Sequence, residues 1–268
     1  MTSLALIGFG EVGQAFARDL LAHAGVRIAV HDLVFADAKQ REERLRAAKA
    51  IGVRIGDGAR DACREAEIVV SAVTASSAAA VAKEAASFLR AEQTFFDVNS
   101  CSPRTKRTAA GHVQAAGAQY VEGAVMARVV GTGIKVPILA GGPAAKALAD
   151  KLNGLGMNIT PVAVEHGRAS AMKLCRSIVM KGLDAIVLEC AAAAREWGVE
   201  KEVFASLQAT HPGLEWAKLA EAMAERVGKH GRRRAAEMRE AAEMVEELEL
   251  DPALCRAIAD VEQRLAKE

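Results

Sequence analysis

Apolar and polar positions along the chain fall into two textures. Up to about residue 162, short apolar runs of strand length alternate with longer stretches in which apolar residues recur at helical spacing. The runs 4–7, 27–31, 68–72, 94–98, 119–125, 137–140 and 158–161 predict strands, and the stretches 10–22, 36–50, 76–89 and 103–116 predict helices that begin near Gly, Asp or Ser. Such alternation predicts a parallel sheet with crossover helices.

Beyond Pro161 the strand pattern stops. Residues 165 to about 197 form one run of helix formers, interrupted only by Gly167 and Gly182 and ended by Gly198. At 1.5 Å per residue that is a helix roughly 50 Å long. The remainder, rich in Ala, Glu, Arg, Leu and Met, predicts further helices broken at Pro212, Gly228, Gly231 and Pro252. The chain is therefore expected to hold an α/β domain, a doubly wound sheet over 1–162, and an all-helical domain over 163–268 that begins with a long interdomain helix. No fixed-period repeat or low-complexity linker interrupts either part.

Composition narrows the function classes. The 268 residues include 35 Lys+Arg against 34 Asp+Glu, and 51% are hydrophobic. So balanced a charge gives no reason to expect nucleic acid or an anionic membrane as partner, and so apolar a chain offsets its ordering entropy by burial. The start lacks a basic segment and an apolar run ahead of its glycines, so no signal peptide is expected. No apolar run reaches the roughly 18 residues of a membrane helix. Cys63, Cys101, Cys175, Cys190 and Cys255 are odd in number and widely spaced without a C-x-x-C pair. They predict reduced thiols in a cytoplasmic protein and no zinc site. Neither H-E-x-x-H nor G-x-S-x-G is present, which sets metal and serine hydrolysis aside.

The strongest motif is Gly8-Phe9-Gly10-Glu11-Val12-Gly13, a G-x-G-x-x-G that follows the first apolar run and opens the first helical stretch. In that context Gly8 allows the tight turn, Gly10 lets backbone approach a pyrophosphate, and Gly13 lets the helix pack closely. Asp32 closes the second run nineteen residues after Gly13, where a carboxylate hydrogen-bonds the ribose hydroxyls of an adenine dinucleotide. An acid there repels a 2′-phosphate, so NAD is expected, with NADP as the alternative because Arg41 and Arg44 lie downstream.

This loop, the segment Asp97-Val98-Asn99-Ser100-Cys101-Ser102-Pro103 and a lysine early on the long helix together resemble the β-hydroxyacid dehydrogenase family, which includes the 6-phosphogluconate, 3-hydroxyisobutyrate and tartronate semialdehyde dehydrogenases. The resemblance spans the chain in its order of parts. It implies an active site in a cleft between the two domains, and a homodimer. It places Val73 and Thr74 on the nicotinamide side of the cofactor, and Asn99 and Ser100 near the nicotinamide ribose and substrate. A simpler role for part of that segment is a polar turn in which Ser102 caps a helix begun by Pro103.

The same resemblance makes Lys173 the catalytic residue, six positions after Gly167 as in the family. Hydride transfer to or from an alcohol carbon requires a group that removes or returns the hydroxyl proton, and a lysine partly desolvated in a cleft can do both. Arg176 and Ser177 follow on the same helix face and are expected to bind substrate, with Ser177 where the family more often has asparagine. Arg176 suits a carboxylate or phosphate, and serves equally well as a salt-bridge partner.

One segment departs from the family. Where Asp-Ala-Pro-Val-Ser-Gly-Gly is common, this chain reads Glu122-Gly123-Ala124-Val125-Met126-Ala127-Arg128. The hydroxyl and glycine clamp for a substrate carboxylate is gone, and Met126 and Ala127 are expected to wall a different or bulkier substrate. The basic cluster Lys229-His230-Gly231-Arg232-Arg233-Arg234 reads as the opening of a helix, against the macrodipole. His230 and Arg233 are candidates for an anionic substrate group; a solvated face or pairing with Glu237 and Glu240 is the alternative. The expected activity is hydride transfer between NAD(P) and a small, anionic hydroxy acid or related alcohol. An imine reductase on the same scaffold and a non-catalytic cofactor sensor are the competing readings.

Overall fold

The computed structural model describes residues 1–37 and 39–267; Ala38, inside the stretch 36–50 assigned to a helix, lies outside the described residues. Tertiary contacts divide the chain into two compact units, residues 1–173 and 174–268.

The first unit is an α/β layer structure. Its strands are β1 (Thr2–Ile7), β2 (Val26–His31), β3 (Arg54–Ile55), β4 (Ile68–Ser71), β5 (Thr94–Asp97), β6 (Gln119–Val125), β7 (Pro137–Gly141) and β8 (Asn158–Ala163). Its helices are α1 (Glu11–Leu21), α2 (Arg41–Ile51), α3 (Ala59–Cys63), α4 (Ala75–Ala86), α5 (Pro103–Ala115) and α6 (Ala145–Asn153). The strands form one sheet in the order β3-β2-β1-β4-β5-β6-β7-β8. Alternation along β1 shows how both faces are filled. Leu4 and Leu6 pack with Phe16 and Leu20 of α1, while Ala5 and Ile7 belong to the opposite cluster with Ala82, Ala85, Ala109 and Val113 of α4 and α5. A central strand buried on both faces reads as a continuous apolar run, which is why β1 and β4 stand out in the sequence.

Three local features differ from the expectations. The pair β6 and β7 is antiparallel, whereas the other neighbours are parallel. Only residues 126–136 join these two strands, and they hold a single 3-10 turn, too little for the crossover helix a parallel pair needs. The stretch expected to be helical from 36 starts at Arg41, because the Asp32 side chain accepts the Val34 N–H and winds Leu33–Ala36 into a 3-10 turn first. The two-residue strand β3 is too short to carry an alternation signal.

The second unit is helical. The long helix α7 (Arg168–Glu196) starts in the first unit and continues into the second, followed by α8 (Glu200–Thr210), α9 (Trp216–Glu247) and α10 (Ala253–Leu265). The breaks expected at Gly228 and Gly231 are absent, since α9 runs straight through both. A Cβ on Gly231 would collide with the carbonyl oxygen of Glu262, so this glycine is a close-contact residue between α9 and α10. The basic cluster accordingly sits mid-helix and opens nothing. Arg234 pairs with Asp184 and with Glu262 (2.6 Å), carboxylates only 2% and 0% exposed, while Arg226 reaches Asp184 at 3.1 Å. Among the described residues no helix is long and apolar enough to cross a membrane.

Candidate active site

The glycine loop joins β1 to α1 with the three glycines in three different situations. Gly8 has φ +100°, in the left-handed region, and a Cβ there would collide with the carbonyl oxygen of Ala72 beyond β4. A Cβ on Gly13 would collide with the Gly8 carbonyl oxygen, so α1 packs directly on its own turn. Around Gly10 there is open space, with no atom within 4 Å of a built Cβ. Gly10 is also the N-cap of α1 and supplies no side-chain cap, leaving the first-turn N–H groups to an external acceptor. Glu11 in that turn is exposed, Val12 packs against the core, and the fully buried Phe9 ring lies 6.0 Å from the Phe35 ring, tilted by 37°.

Asp32 closes this loop from the neighbouring strand. Its Oδ2 accepts the Phe9 N–H at 2.6 Å and its Oδ1 accepts the Val34 N–H at 2.9 Å. The carboxylate thus holds the turn after β1 against the turn after β2 while remaining half-buried.

A second cluster forms at the carboxyl ends of β4, β5 and β6. Asp97, at the end of β5, is fully buried and gathers donors: the Asn99 N–H (2.9 Å), the Asn99 amide (2.7 Å), the Lys106 ammonium (2.9 Å) and the Tyr120 hydroxyl (2.8 Å). Burial, and next the adjacent Asp97, push the Tyr120 phenol well above its usual pKa, so it stays a donor. Asn99 then spans two strand ends, donating to Ser71 Oγ (3.0 Å) and accepting the Val73 N–H (2.7 Å). Its amide is spent on holding the loop that carries Ser100 and the turn that carries Val73. Thr74, exposed at the N-cap of α4, exchanges hydrogen bonds with the Ser76 and Ser77 hydroxyls. Ser102 caps α5 by accepting the Thr105 N–H, with Pro103 in the first turn as expected.

Lys173 meets this cluster from α7. Its ammonium nitrogen donates to Ser100 Oγ, so the two residues named from separate segments stand in direct contact. The start of α7 is held by Glu122, buried midway along β6, whose Oε1 accepts the N–H groups of Gly167 (2.8 Å) and Ala169 (2.9 Å) and whose Oε2 accepts the Ser170 hydroxyl (2.6 Å).

Sequence reasoning missed Asp97, Lys106, Tyr120, Glu122 and Ser170 as parts of the site. The signal present was a carboxylate at the end of the run that becomes β5, Asp97, and a second one, Glu122, set inside the otherwise apolar run that becomes β6.

The departing segment follows β6. Met126 is half-buried and donates its N–H to the Pro137 carbonyl (2.9 Å), whereas Ala127 and Arg128 are exposed. The loop then turns back onto α1, where Asp19 Oδ2 accepts the Ile134 N–H at 2.9 Å. Between them lies a groove of about 420 Å³ lined by Glu11, Gln14, Arg18, Val130 and Thr132 among others. In the second unit Arg176 and Arg233 are exposed and His230 is half-buried on α9. Ser177 is 5% exposed and donates its hydroxyl to Glu237 Oε1 at 2.6 Å; Lys181 reaches the same oxygen at 3.1 Å.

Comparisons with known proteins bear on the family and the fold. Residues 3–100 match the family described as NADP oxidoreductase, coenzyme F420-dependent, and residues 194–265 match a domain of unknown function, DUF1932. A conserved hypothetical protein from Sinorhizobium meliloti is 39% identical, with 98% of this chain and 88% of that one covered at a TM-score of 0.84. A conserved protein of unknown function, described as structurally similar to 3-hydroxyacid dehydrogenases, is 30% identical over 98% of this chain and 96% of its own, with a TM-score of 0.79. The 3-hydroxyisobutyrate dehydrogenase of Mycobacterium tuberculosis, solved with L-serine, is 17% identical over 98% of this chain and 93% of its own at a TM-score of 0.79, a likeness of fold.

Proposed function

The chain belongs to the NAD(P)-binding hydroxyacid dehydrogenase family, and on that premise we propose that it transfers a hydride between NAD and a small hydroxy acid or related alcohol, with Lys173 as general acid/base. The observation that carries the reading is the Lys173–Ser100 contact at the carboxyl end of the sheet. Ligands of open α/β folds bind at that end.

The glycine loop fits a dinucleotide. Space opens at Gly10 alone of the three motif glycines, and the adjoining helix N-terminus attracts a pyrophosphate. Asp32 keeps acceptor capacity for ribose hydroxyls beyond its two backbone contacts, and its charge favours NAD over NADP. When bound, NAD(P) supplies the hydride acceptor or donor. Lys173, as the amine, takes the hydroxyl proton while the carbinol carbon gives up its hydride, leaving a carbonyl and an ammonium; in the reverse direction the ammonium returns the proton. Ser100 keeps the amine oriented. Val73 and Thr74 line the nicotinamide side, and Met126 and Ala127 shape the substrate wall. Arg176, Ser177, His230 and Arg233 are the candidates for an anionic substrate group. The same reading makes the protein a cytoplasmic homodimer, which light scattering on the purified chain checks.

The test is a hydride-transfer assay over 2- and 3-hydroxy acids, including 3-hydroxyisobutyrate and L-serine, their phosphorylated forms and cyclic imines, with NAD(H) and NADP(H). Wild type and Lys173→Ala are compared, with cofactor affinity measured by calorimetry. Loss of roughly 10²-fold or more in turnover at unchanged cofactor affinity supports the assignment. Full turnover by Lys173→Ala overturns it, and imines as the sole substrates move the activity to imine reduction.

A further inference from the structure

Among the fully buried charged side chains, Asp97, Lys106 and Glu262 sit in ion pairs, whereas Glu122 does not and has no part in the proposed chemistry. Glu122 is 0% exposed, lies in the middle of β6 and makes no ion pair among the described residues. It spends both oxygens on α7 instead: Gly167 N–H and Ala169 N–H on Oε1, the Ser170 hydroxyl on Oε2. A carboxylate buried this completely is tolerated only when its lone pairs are met by donors. Here the donors sit at the start of one helix, Gly167 just before α7 and Ala169 and Ser170 in its first turn, where orphan N–H groups and the positive end of the dipole favour an anion.

We propose that Glu122 is a positioning residue for Lys173: by gripping the first turn of α7 from the sheet, it sets the height at which Lys173 meets Ser100. Lys173 lies one turn beyond the gripped residues, so a slide or fraying of that turn moves its ammonium directly. The grip and the partner are tied to the same frame. Glu122 pairs in register with Asp97 across β6 and β5, and Asp97 in turn fixes the loop that presents Ser100. Gly141 across β7 is a further sign of fit, because a Cβ there would strike Glu122 Oε1. This inference rests on Lys173 being the general acid/base, but its positional part can be read without turnover.

The experiment uses the full chain with lysines reductively ¹³C-methylated, the Lys173 dimethylamine signal being assigned by its loss in Lys173→Ala. Glu122→Ala removes the grip. Glu122→Gln keeps two acceptor contacts and offers its amide to Ser170, separating geometry from charge. Ser170→Ala removes one contact and keeps the rest, which covers the case in which Glu122→Ala does not fold. The expected result is a Lys173 signal displaced toward that of exposed lysines in Glu122→Ala, by a smaller step in Ser170→Ala, and largely restored in Glu122→Gln. With a substrate from the panel, kcat falls roughly tenfold or more in Glu122→Ala while KM for cofactor holds. A Lys173 signal unmoved in both Glu122→Ala and Ser170→Ala overturns the proposal. If the signal moves but Lys173→Ala keeps full turnover, the positional part stands and the general acid/base assignment falls.

Discussion

Asp97, at the carboxyl end of β5, and Glu122, midway along β6, are register partners, both 0% exposed, and each anchors one half of the Lys173–Ser100 contact. Asp97 holds the loop of Ser100 through Asn99, and Glu122 holds the helix of Lys173 through its first turn. Two buried carboxylates one strand apart repel unless each is matched by its own donors. The Lys106 ammonium and Tyr120 hydroxyl meet the first, and the α7 terminus meets the second.

Breaking the first anchor is expected to be severe. Lys106→Met leaves Asp97 buried without its cation and should lower unfolding free energy by roughly 3–5 kcal/mol. Urea denaturation checks it, and Asp97→Asn added to Lys106→Met should recover part of the loss because the unpaired charge is gone.

The motif glycines should separate under alanine substitution. Gly13→Ala drives a methyl into the Gly8 carbonyl and should destabilise the fold by about 1–3 kcal/mol. Gly10→Ala meets nothing, and its φ of −73° suits alanine, so its melting temperature should match wild type while affinity for NAD drops roughly tenfold or more. Calorimetric titration on the two folded variants distinguishes these outcomes.

His166 should make stability pH-dependent. Burial holds its imidazole below the usual value of 6.5, with nearby Glu122 opposing, and its Nδ1 has no hydrogen-bond partner among the described residues. A histidine kept neutral by the fold contributes its full stability above 6.5, where the unfolded chain is neutral too. That contribution is lost as pH falls through 6.5 toward the lowered folded-state value. Unfolding free energies measured across this window should fall less steeply for His166→Asn than for wild type.

Two glycines of α9 should also behave in opposite ways. Gly231→Ala collides with the Glu262 carbonyl and should loosen α10, costing about 1–3 kcal/mol. Gly228→Ala touches only the flexible Lys267 side chain at 3.4 Å and gains helix propensity, so it should be neutral or stabilise by up to about 1 kcal/mol. Chemical denaturation of both variants checks the contrast.

The architecture and much of the cofactor loop were legible because they rest on local pattern. Short apolar runs and period-3.6 apolar spacing located β1, β2, β4, β5, β6 and α7 to within a few residues, and Gly8, Gly10 and Gly13 announced their turn by type and spacing. Features that depend on what approaches from elsewhere in the chain were hidden. Gly231 reads as a helix breaker in one dimension, and only the arrival of Glu262 shows that it is a contact residue. Arg234 reads as one of a solvated cluster, yet two buried carboxylates meet it.

For this protein, then, the sequence by itself determined the strand-and-helix order, the dinucleotide loop with its acid at Asp32, and Lys173 and Ser100 as separate candidates. Tertiary structure alone decided that β7 reverses direction, that Lys173 and Ser100 touch, and that Glu122 grips α7. The reason is physical: apolar periodicity encodes which face of an element is buried, whereas the partner of a buried polar group is chosen by sheet register and helix packing, which bring together donors and acceptors as far apart in the chain as Glu122 and Ser170.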